Sequence, residues 1–409
     1  MDILLNVITN EKIIEEITIS GSKSESNRLL ILQQLFPEIS IANLSDSDDS
    51  VHLQQALSTK GSTIDIGHAG TAMRFLVGYF ASKKNSEVVL TGSERMQQRP
   101  IGILVEALRD LGAEISYEEK EGYPPVRITG QTIAKDKVQI NGNVSSQYIS
   151  SLLLMGTHLA KGITISLIGK VTSIPYIKMT LSLLNQLGIS TRFEGNTIQV
   201  FPVKQLQKQT VVVESDWSSA SYFYSVAAFS EIGSTIQLSA YKKESLQGDS
   251  CLAEIYSHFG VETVFDQNTI SLKKVRPTDA GPLTLDLKNA PDIAQTIAVT
   301  CFGLGVACHL TGLHTLKIKE TDRLEALEAE LKKLGAVLTI TNESLSLSAS
   351  TKIQENIAIK TYNDHRMAMA FAPLAFKVPI AILDAEVVSK SYQKFWKDMQ
   401  QIGIQIKEL

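Results

Sequence analysis

The sequence has few cysteines and tryptophans and no long uninterrupted hydrophobic run. Its 409 residues include 3 cysteines and 2 tryptophans. Cys251, Cys301 and Cys308 show no metal-ligand spacing and lie among apolar residues, so we expect plain core thiols and no bound metal. The longest apolar stretch, residues 293–310, is interrupted by polar residues and glycines. This favours a buried helix over a membrane span, and we expect a cytoplasmic protein.

A strong positive charge is also lacking. The formal net charge is −4 at pH 7, and no basic stripe with interleaved aromatic residues is present. Both observations count against a nucleic acid or an anionic membrane as partner. A site for an anion must therefore be a local concentration of positive charge within an acidic chain.

Arginine is scarce, and its distribution is uneven. The chain has 10 arginines against 29 lysines, and 6 of the 10 lie in five short polar segments: residues 21–28, 67–74, 91–100, 317–323 and 361–366. Lysine serves as a plain surface cation, whereas the planar guanidinium grips a carboxylate or phosphate through two parallel hydrogen bonds. We interpret these segments as a site for a small, highly anionic substrate.

A glycine that follows a helical pattern recurs along the chain. Each copy stands after an apolar residue and before alternating strand residues, at spacings of 76, 72, 75 and 68 residues: Gly112, Gly188, Gly260, Gly335 and Gly403. Glycine in this place adopts the left-handed conformation that ends a helix. The interval is too long for a solenoid repeat and indicates a small α/β module that is used several times.

The two ends of the repeat predict a split domain. Extrapolation backwards gives a sixth, shortened copy near Gly61, whose hairpin is almost absent. The last copy has one strand before the sequence ends, so we expect the N-terminal strands at 3–8 and 13–19 to complete it.

This arrangement predicts a continuous domain at 20–214 and a discontinuous domain at 1–19 plus 215–409. Each would contain three modules, and we expect the ligand site in the cleft between them.

Several polar segments stand where helices are expected to begin. Residues 21–28 lack the spacing of a phosphate-binding loop but precede a helical pattern, so they fit either an anion site at a helix N-terminus or a simple serine cap. Residues 67–74 fit either a glycine-lined ligand site or a tight turn. Residues 319–323 carry charges of both signs. They fit either a solvated helix face or a general acid or base that lies beside cations. Residues 364–366 lead into an apolar helix, where buried charge needs a partner or a ligand.

Taken in order, these segments resemble the signatures of the 5-enolpyruvylshikimate-3-phosphate (EPSP) synthase family. The matches are Gly-Ser-Lys-Ser-x-Ser-Asn-Arg at 21–28, Ala-Gly-Thr-Ala-Met-Arg at 69–74, Arg-Pro-Ile-Gly at 99–102, Lys-Glu-Thr-Asp-Arg at 319–323 and Asn-Asp-His-Arg-Met-Ala at 363–368. The resemblance implies a two-domain inverse α/β barrel of six βαβαββ modules, three per domain, with one module truncated.

The same resemblance implies an activity. The enolpyruvyl group of phosphoenolpyruvate would pass to the 5-hydroxyl of shikimate 3-phosphate through a tetrahedral ketal, with release of phosphate, in the biosynthesis of chorismate and the aromatic amino acids. It implies no metal or organic cofactor, and a monomer.

The resemblance also assigns roles to individual residues. Asp292 would accept the proton of the 5-hydroxyl, and Glu320 or Lys23 would protonate the methylene carbon. The residues expected to bind phosphoenolpyruvate are Lys23, Gly70, Arg99, Gln147, Arg323, Arg366 and Lys390. Those expected to bind shikimate 3-phosphate are Lys23, Ser24, Arg28, Ser145, Ser146, Gln147, Ser173, Tyr176, Asp292, Thr315 and Lys319. The supporting residues are Asp49, Thr71, Arg74, Arg95, Asp364 and His365.

The sequence departs from the family pattern at three residues. His68 stands where the family has asparagine, Phe75 stands where proline is usual, and Thr315 replaces a substrate-contacting asparagine. Two alternative functions are a UDP-N-acetylglucosamine enolpyruvyl transferase and a catalytically silent anion-binding homologue. The first carries a reactive cysteine before its Arg-Pro, and residues 93–99 contain none. The second is disfavoured by the complete set of proposed acid–base residues, and a turnover assay separates it.

Overall fold

A computed structural model describes residues 1–7, 11–59, 61–171 and 174–409 of the chain. The chain forms two compact units. The discontinuous unit consists of Met1–Ser20 and Glu214–Leu409, and the continuous unit consists of Gly21–Val213. Within the described ranges, no helix combines the length and apolar character needed to cross a membrane.

The strands are short and run through the whole chain. In chain order they are β1 (Ile3–Asn6), β2 (Ile14–Ile17), β3 (Ile39–Ala42), β4 (Thr63–Asp65), β5 (Glu87–Thr91), β6 (Glu114–Tyr117), β7 (Val126–Thr129), β8 (Lys137–Asn141), β9 (Ile163–Ile168), β10 (Thr191–Glu194), β11 (Thr197–Val200), β12 (Gln209–Val212), β13 (Thr235–Ser239), β14 (Val261–Asp266), β15 (Thr269–Lys274), β16 (Leu283–Asp286), β17 (Cys308–Thr311), β18 (Leu338–Ile340), β19 (Leu345–Leu347), β20 (Ile357–Ile359), β21 (Ile380–Ile382) and β22 (Gln405–Glu408).

The helices alternate with these strands. They are α1 (Lys23–Leu35), α2 (Asp48–Ser58), α3 (Gly70–Ser82), α4 (Glu94–Gln97), α5 (Gly102–Leu111), α6 (Ser146–Gly156), α7 (Ile174–Gln186), α8 (Trp217–Phe229), α9 (Leu252–Ile255), α10 (Ala294–Leu304), α11 (Arg323–Lys333), α12 (His365–Phe371) and α13 (Phe395–Gln401). Shorter 3₁₀ helices lie at Gly248–Cys251, Pro291–Ile293, His314–Ile318, Ala372–Phe376 and Ala385–Lys390.

Five of the sheets have four strands and one common order. The orders are β4-β5-β7-β6, β8-β9-β11-β10, β2-β13-β15-β14, β16-β17-β19-β18 and β20-β21-β1-β22. In each sheet the first two strands are parallel and the other neighbours are antiparallel. A parallel pair needs a crossover connection, and α3, α6, α10 and α12 lie in it in four of these sheets. The mixed α/β class is confirmed.

The sixth sheet contains only β3 and β12, which pair in parallel. It belongs to the continuous unit and has no hairpin among its described strands. One expectation about the ends of the chain is wrong. β1 joins β21 and β22 in the last sheet, but β2 pairs with β13 in a different sheet. Strand alternation specifies a buried face and does not specify which distant edge a strand joins.

Each unit has its own apolar core. In the continuous unit, strands such as β9 alternate apolar and polar residues, with Ile163, Ile165 and Leu167 buried. The core of the discontinuous unit is richer in large aromatic side chains, including the fully buried Trp217 and Tyr222. Burial of these apolar side chains holds each strand in place, and the position of a strand determines where the helix that follows it begins.

The five repeated glycines all have a positive φ, from 76° to 104°. A Cβ at Gly260 would overlap the carbonyl oxygen of Arg276, whereas a Cβ at Gly403 would meet no atom within 4 Å. Both glycines belong to the discontinuous unit and differ mainly in the space around them.

This difference gives a matched pair of variants for unfolding experiments. Gly403→Ala should cost about 1–2 kcal/mol, because only the left-handed backbone is strained. Gly260→Ala should cost about 1–3 kcal/mol more, because the methyl group also displaces packed backbone. Urea unfolding followed by tryptophan fluorescence measures both. Equal losses in the two variants would contradict the packing argument.

Candidate functional site

The predicted polar segments lie at helix N-termini. Lys23 is the first residue of α1, Gly70 is the first residue of α3, and Ser146 is the first residue of α6. The residues before α1 and α3, Ser22 and Ala69, make no side-chain capping hydrogen bond. Their first backbone N–H groups and the helix dipole therefore favour an anion at these two helix ends.

Arg28 is buried within the continuous unit and bonded to neutral groups. Its guanidinium donates to the Thr180 hydroxyl at 2.7 Å, to the Ser24 carbonyl at 2.7 Å, to the Ser150 hydroxyl at 3.1 Å and to the Tyr176 carbonyl at 3.4 Å. Burial lowers the pKa of Arg28 to about 10. Because four of its five N–H groups are used, a ligand has access to one donor unless a bond is replaced.

Gly70 and Arg99 lie in close contact. A Cβ at Gly70 would stand 2.5 Å from Nη1 of Arg99, so a larger residue here would displace the guanidinium from its present position. Arg74, one helical turn further, is buried and donates to the Gly70 carbonyl at 3.2 Å and to the Pro100 carbonyl at 2.9 Å. Burial and then the nearby Arg99 charge lower the pKa of Arg74 to about 10. Arg74 thus joins the start of α3 to the segment that carries Arg99.

Other predicted residues of the continuous unit surround these helix ends. Nε2 of Gln147 donates to the Thr71 hydroxyl at 3.1 Å, which links the starts of α6 and α3. The Ser145 hydroxyl caps α6 by accepting from the Gln147 amide at 3.4 Å. Asp49 accepts from Nδ2 of Asn27 at 2.7 Å, which links α2 to α1.

Four predicted residues of this unit differ in how much of their surroundings the structure describes. In the described part of the chain, the side chains of Lys23 and Arg99 have no hydrogen bond or ion pair within the protein. Arg95 is exposed and makes one long contact, 3.4 Å, with Gln98. Ser173 lies outside the described residues.

The discontinuous unit contains a cluster of ion pairs centred on Arg323. The Arg323 side chain is only 2% exposed. Its guanidinium donates to Asp364 at 2.6 Å, to Glu320 at 2.7 Å and to Asp292 at 3.0 Å. Burial opposes the charge, but the three carboxylates raise the pKa of Arg323 above its ordinary value. These four residues are the Arg323 cluster.

Asp292 lies between three cations. Besides Arg323, the Asp292 carboxylate lies 3.3 Å from Nη2 of Arg366 and 3.7 Å from Nζ of Lys319. Arg366 also donates to the main-chain oxygen of Asp292 at 3.0 Å. Burial acts against the charge of Arg366, but Asp292 and other acidic groups raise its pKa well above the ordinary value. A carboxylate that is 13% exposed is thereby held in one orientation.

Two residues that the sequence reasoning missed extend this arrangement. Ser218 accepts from Nη2 of Arg366 at 3.3 Å and donates to the carboxylate of Asp249. Burial, followed by the charge of Asp292, raises the pKa of Asp249 to about 7, although Arg366 and the Ser218 hydroxyl oppose the shift. No cation flanks Asp249 in the sequence, so only its spatial neighbours reveal it.

The remaining predicted residues lie on neighbouring segments. Asp364 caps α12 by accepting from the Arg366 amide at 2.9 Å, and His365 lies 3.8 Å from Asp364. Nζ of Lys390 donates to the Asn363 carbonyl at 2.7 Å. The Thr315 hydroxyl is buried and has no hydrogen-bond partner within the described ranges. Over the same ranges, no group of three or more His, Cys, Asp or Glu residues could hold a metal ion.

Comparisons with known proteins agree on one family. Residues 50–399 match the family model of EPSP synthase (3-phosphoshikimate 1-carboxyvinyltransferase). A 3-phosphoshikimate 1-carboxyvinyltransferase of Bacteroides fragilis (strain YCH46) is 45% identical over 395 residues, which are 96% of each chain. The corresponding protein of Mannheimia haemolytica is 32% identical over 425 aligned positions, covering 95% of this chain and 96% of the relative. In fold, the chain is similar to an EPSP synthase of Acinetobacter baumannii, with a TM-score of 0.82, 23% identity and complete coverage of both chains.

The raised pKa of Asp249 predicts a pH-dependent stability. Between about pH 4 and pH 7 the folded chain keeps a proton that the unfolded chain has released, so the free energy of unfolding falls as the pH rises. The slope from this group should reach at most about 1.4 kcal/mol per pH unit. Asp249→Asn should remove the slope, and urea unfolding from pH 4.5 to 7.5 measures it. The exposed Asp266→Asn is the control and should keep it. A wild-type slope in Asp249→Asn would show that Asp249 is ionised in the folded chain.

Proposed function

The chain belongs to the EPSP synthase family, and we infer that it transfers the enolpyruvyl group of phosphoenolpyruvate to the 5-hydroxyl of shikimate 3-phosphate and releases phosphate. The chain is thus a transferase of the shikimate pathway. The observation that carries the reaction is the ion-pair arrangement of Asp292, in which a potential proton acceptor is oriented by Arg323, Arg366 and Lys319.

The substrates explain the kind of residues that gather at the helix ends. Each substrate carries one phosphate and one carboxylate, so four anionic groups must be bound together. Buried guanidinium groups and open helix N-termini are suited to such groups because they offer oriented N–H donors and positive potential. We propose that side chains of both units act on the same pair of substrates.

Phosphoenolpyruvate is proposed to be bound by cations from several segments. Lys23 and Arg99 are supported by the absence of internal partners in the described chain, since their donors remain available to a ligand. Gly70 lets an anion approach the backbone at the start of α3. Arg323, Arg366, Lys390 and Gln147 complete the set, as the family resemblance suggests.

Shikimate 3-phosphate is proposed to be bound chiefly by hydroxyl groups and by Lys319. Ser145 and Ser146 begin α6, and Ser24 lies in the first turn of α1, where hydroxyl and amide donors occur side by side. Arg28 is proposed to contribute its one remaining donor. Tyr176, Ser173, Gln147, Lys23, Asp292 and Thr315 are assigned to this substrate by the resemblance.

Asp292 is the proposed general base. Its ion pairs with cations fix the direction of its carboxylate, and orientation matters because proton transfer requires hydrogen-bond reach. As Asp292 takes the proton of the 5-hydroxyl, the oxygen attacks C2 of phosphoenolpyruvate. The methylene carbon receives a proton from Glu320 or Lys23, which makes C2 electrophilic.

The tetrahedral ketal then decomposes in the opposite sense. The bond from C2 to the phosphate oxygen breaks, the methyl carbon returns one proton to the acid–base group, and the vinyl ether forms as phosphate leaves. Glu320 is the proposed partner for this proton because its side chain is 36% exposed.

We also propose that the enzyme acts as a monomer, as the family resemblance suggests, and that it acts in the cytoplasm, as the cysteines and the interrupted apolar stretch suggest. Light scattering after size-exclusion chromatography tests the first statement. A mass near twice 44.8 kDa would overturn it.

The decisive assay for the proposed function is phosphate release from phosphoenolpyruvate with and without shikimate 3-phosphate. Release only when both substrates are present is the expected result. Binding of both ligands with no release would instead support a catalytically silent homologue. Release with UDP-N-acetylglucosamine in place of shikimate 3-phosphate would support the other transferase, which the lack of cysteine at 93–99 disfavours.

Asp292→Asn should separate binding from catalysis. The amide keeps an oxygen for Arg323 but cannot accept the hydroxyl proton, so we expect kcat to fall by about 10²–10⁴-fold with KM values changed only a few-fold. Asp286→Asn is the control, because Asp286 is a half-exposed residue of the same unit that pairs with Lys288. An unimpaired kcat in Asp292→Asn would remove Asp292 from the role of base.

A further inference from the structure

A pair of histidines lies beside the segment that leads to Gly70. Nε2 of His68 stands 3.8 Å from Oδ2 of Asp48, and the ring centroids of His68 and His52 are 5.6 Å apart at an interplanar angle of 74°. Nδ1 of His52 lies 2.7 Å from the Asp48 carbonyl oxygen. Since a carbonyl only accepts, Nδ1 of His52 donates this hydrogen bond.

This pair is joined to the proposed anion site through the backbone of residues 67–70. A Cβ at Gly67 would lie 3.4 Å from Nε2 of His52, and a Cβ at Gly70 would lie 2.5 Å from Nη1 of Arg99. The histidine pair therefore packs against one end of this segment and Arg99 against the other. His68 is two residues before Gly70 in the sequence, so a change in its charge occurs close to the contact between Gly70 and Arg99.

We propose that His68 is a positioning residue for phosphoenolpyruvate. In its protonated form it pairs with Asp48, holds residues 67–70 against Arg99 and adds positive charge beside the anion site. The asparagine that the family pattern has at this place cannot acquire charge. Imidazole titrates near neutral pH, so substrate affinity in this chain becomes linked to pH in a way that asparagine does not allow.

The charged groups around His68 set the direction of the effect. From α2 it faces Asp48 and His52, and the next residue, Asp49, is engaged by Asn27. At the end of β4, Asp65 accepts from the Gly67 amide at 2.7 Å. The Ser93 amide donates to the Gly67 carbonyl. The two residues that follow Ser93, Glu94 and Arg95, are exposed.

Asp48 pairs directly with a charged His68 and stabilises it. The Arg99 guanidinium, which contacts Gly70 two residues further along the chain, acts in the opposite direction because like charges repel. An added anion next to Arg99 offsets that repulsion. Binding of phosphoenolpyruvate and protonation of His68 should therefore strengthen each other.

The inference rests on the proposed function, and its kinetic test is the pH profile of KM for phosphoenolpyruvate between pH 5.5 and 8. The phosphate of the substrate also titrates in this range, but equally for every variant. At pH 5.5 the wild type should bind phosphoenolpyruvate about two- to five-fold more tightly than His68→Asn. This is the range expected for a partly exposed ion pair. kcat at saturating substrate should change less than two-fold.

Two further variants sharpen the kinetic test. Asp48→Asn should lose most of the same gain because it removes the partner of the imidazolium. His309→Asn is the control, since His309 is an exposed histidine of the other unit that bonds to Ser346. A His68→Asn profile that superimposes on the wild-type profile would overturn the proposal.

A second measurement does not depend on turnover. The imidazole C2–H resonances of His68 and His52, assigned with His68→Asn and His52→Asn, are titrated with and without phosphoenolpyruvate. The titration midpoint of His68 should move to higher pH when the substrate is added. The same movement in a chain that releases no phosphate would support the inference while the proposed function fails. Normal turnover with an unmoved His68 midpoint would overturn the inference alone.

Discussion

The side chain of Arg323 is almost wholly buried, and it contacts three carboxylates that come from three segments of the chain. Removing such a cation from water is costly, so the arrangement persists only because every partner is in hydrogen-bond range. Loss of one partner would leave uncompensated buried charge. The positions of Asp292, Glu320 and Asp364 are therefore interdependent, and the proposed base owes its orientation to a structural ion-pair cluster. Arg366 adds a second bond to Asp292 from the start of α12.

The strand order explains why so many polar segments occur at comparable places. In the four-stranded sheets, the segments that carry the site residues follow the two parallel strands, whereas the hairpin strands carry none of them. Gly70 follows β4, Ser146 follows β8, Asp292 follows β16 and Asp364 follows β20. The carboxyl ends of parallel strands lead directly into helix N-termini, and those ends favour anions. Repetition of one module thus provides several similar helix N-termini that are suited to binding anions.

The two units use their cations differently. In the continuous unit, Arg28 and Arg74 donate to hydroxyl and carbonyl groups, so their charge is not neutralised by a bonded carboxylate, and burial lowers their pKa values. In the discontinuous unit, Arg323 and Arg366 are paired with carboxylates, which raise their pKa values. The first arrangement is suited to binding anionic substrates. The second holds Asp292, the proposed base, in one orientation.

The sequence by itself determined the local elements, because the backbone preferences of glycine and the alternation of apolar residues act over short distances. Gly188 and Gly335 end helices as predicted, and the arginine-bearing segments stand at helix starts. Tertiary structure alone decided which distant edge each strand joins, so the expected pairing of residues 13–19 with the last sheet was wrong. It also decided which charges meet. Asp249 joins the site through its bond with Ser218, and three of the four bonds that occupy Arg28 go to residues more than a hundred positions away, which no local pattern encodes.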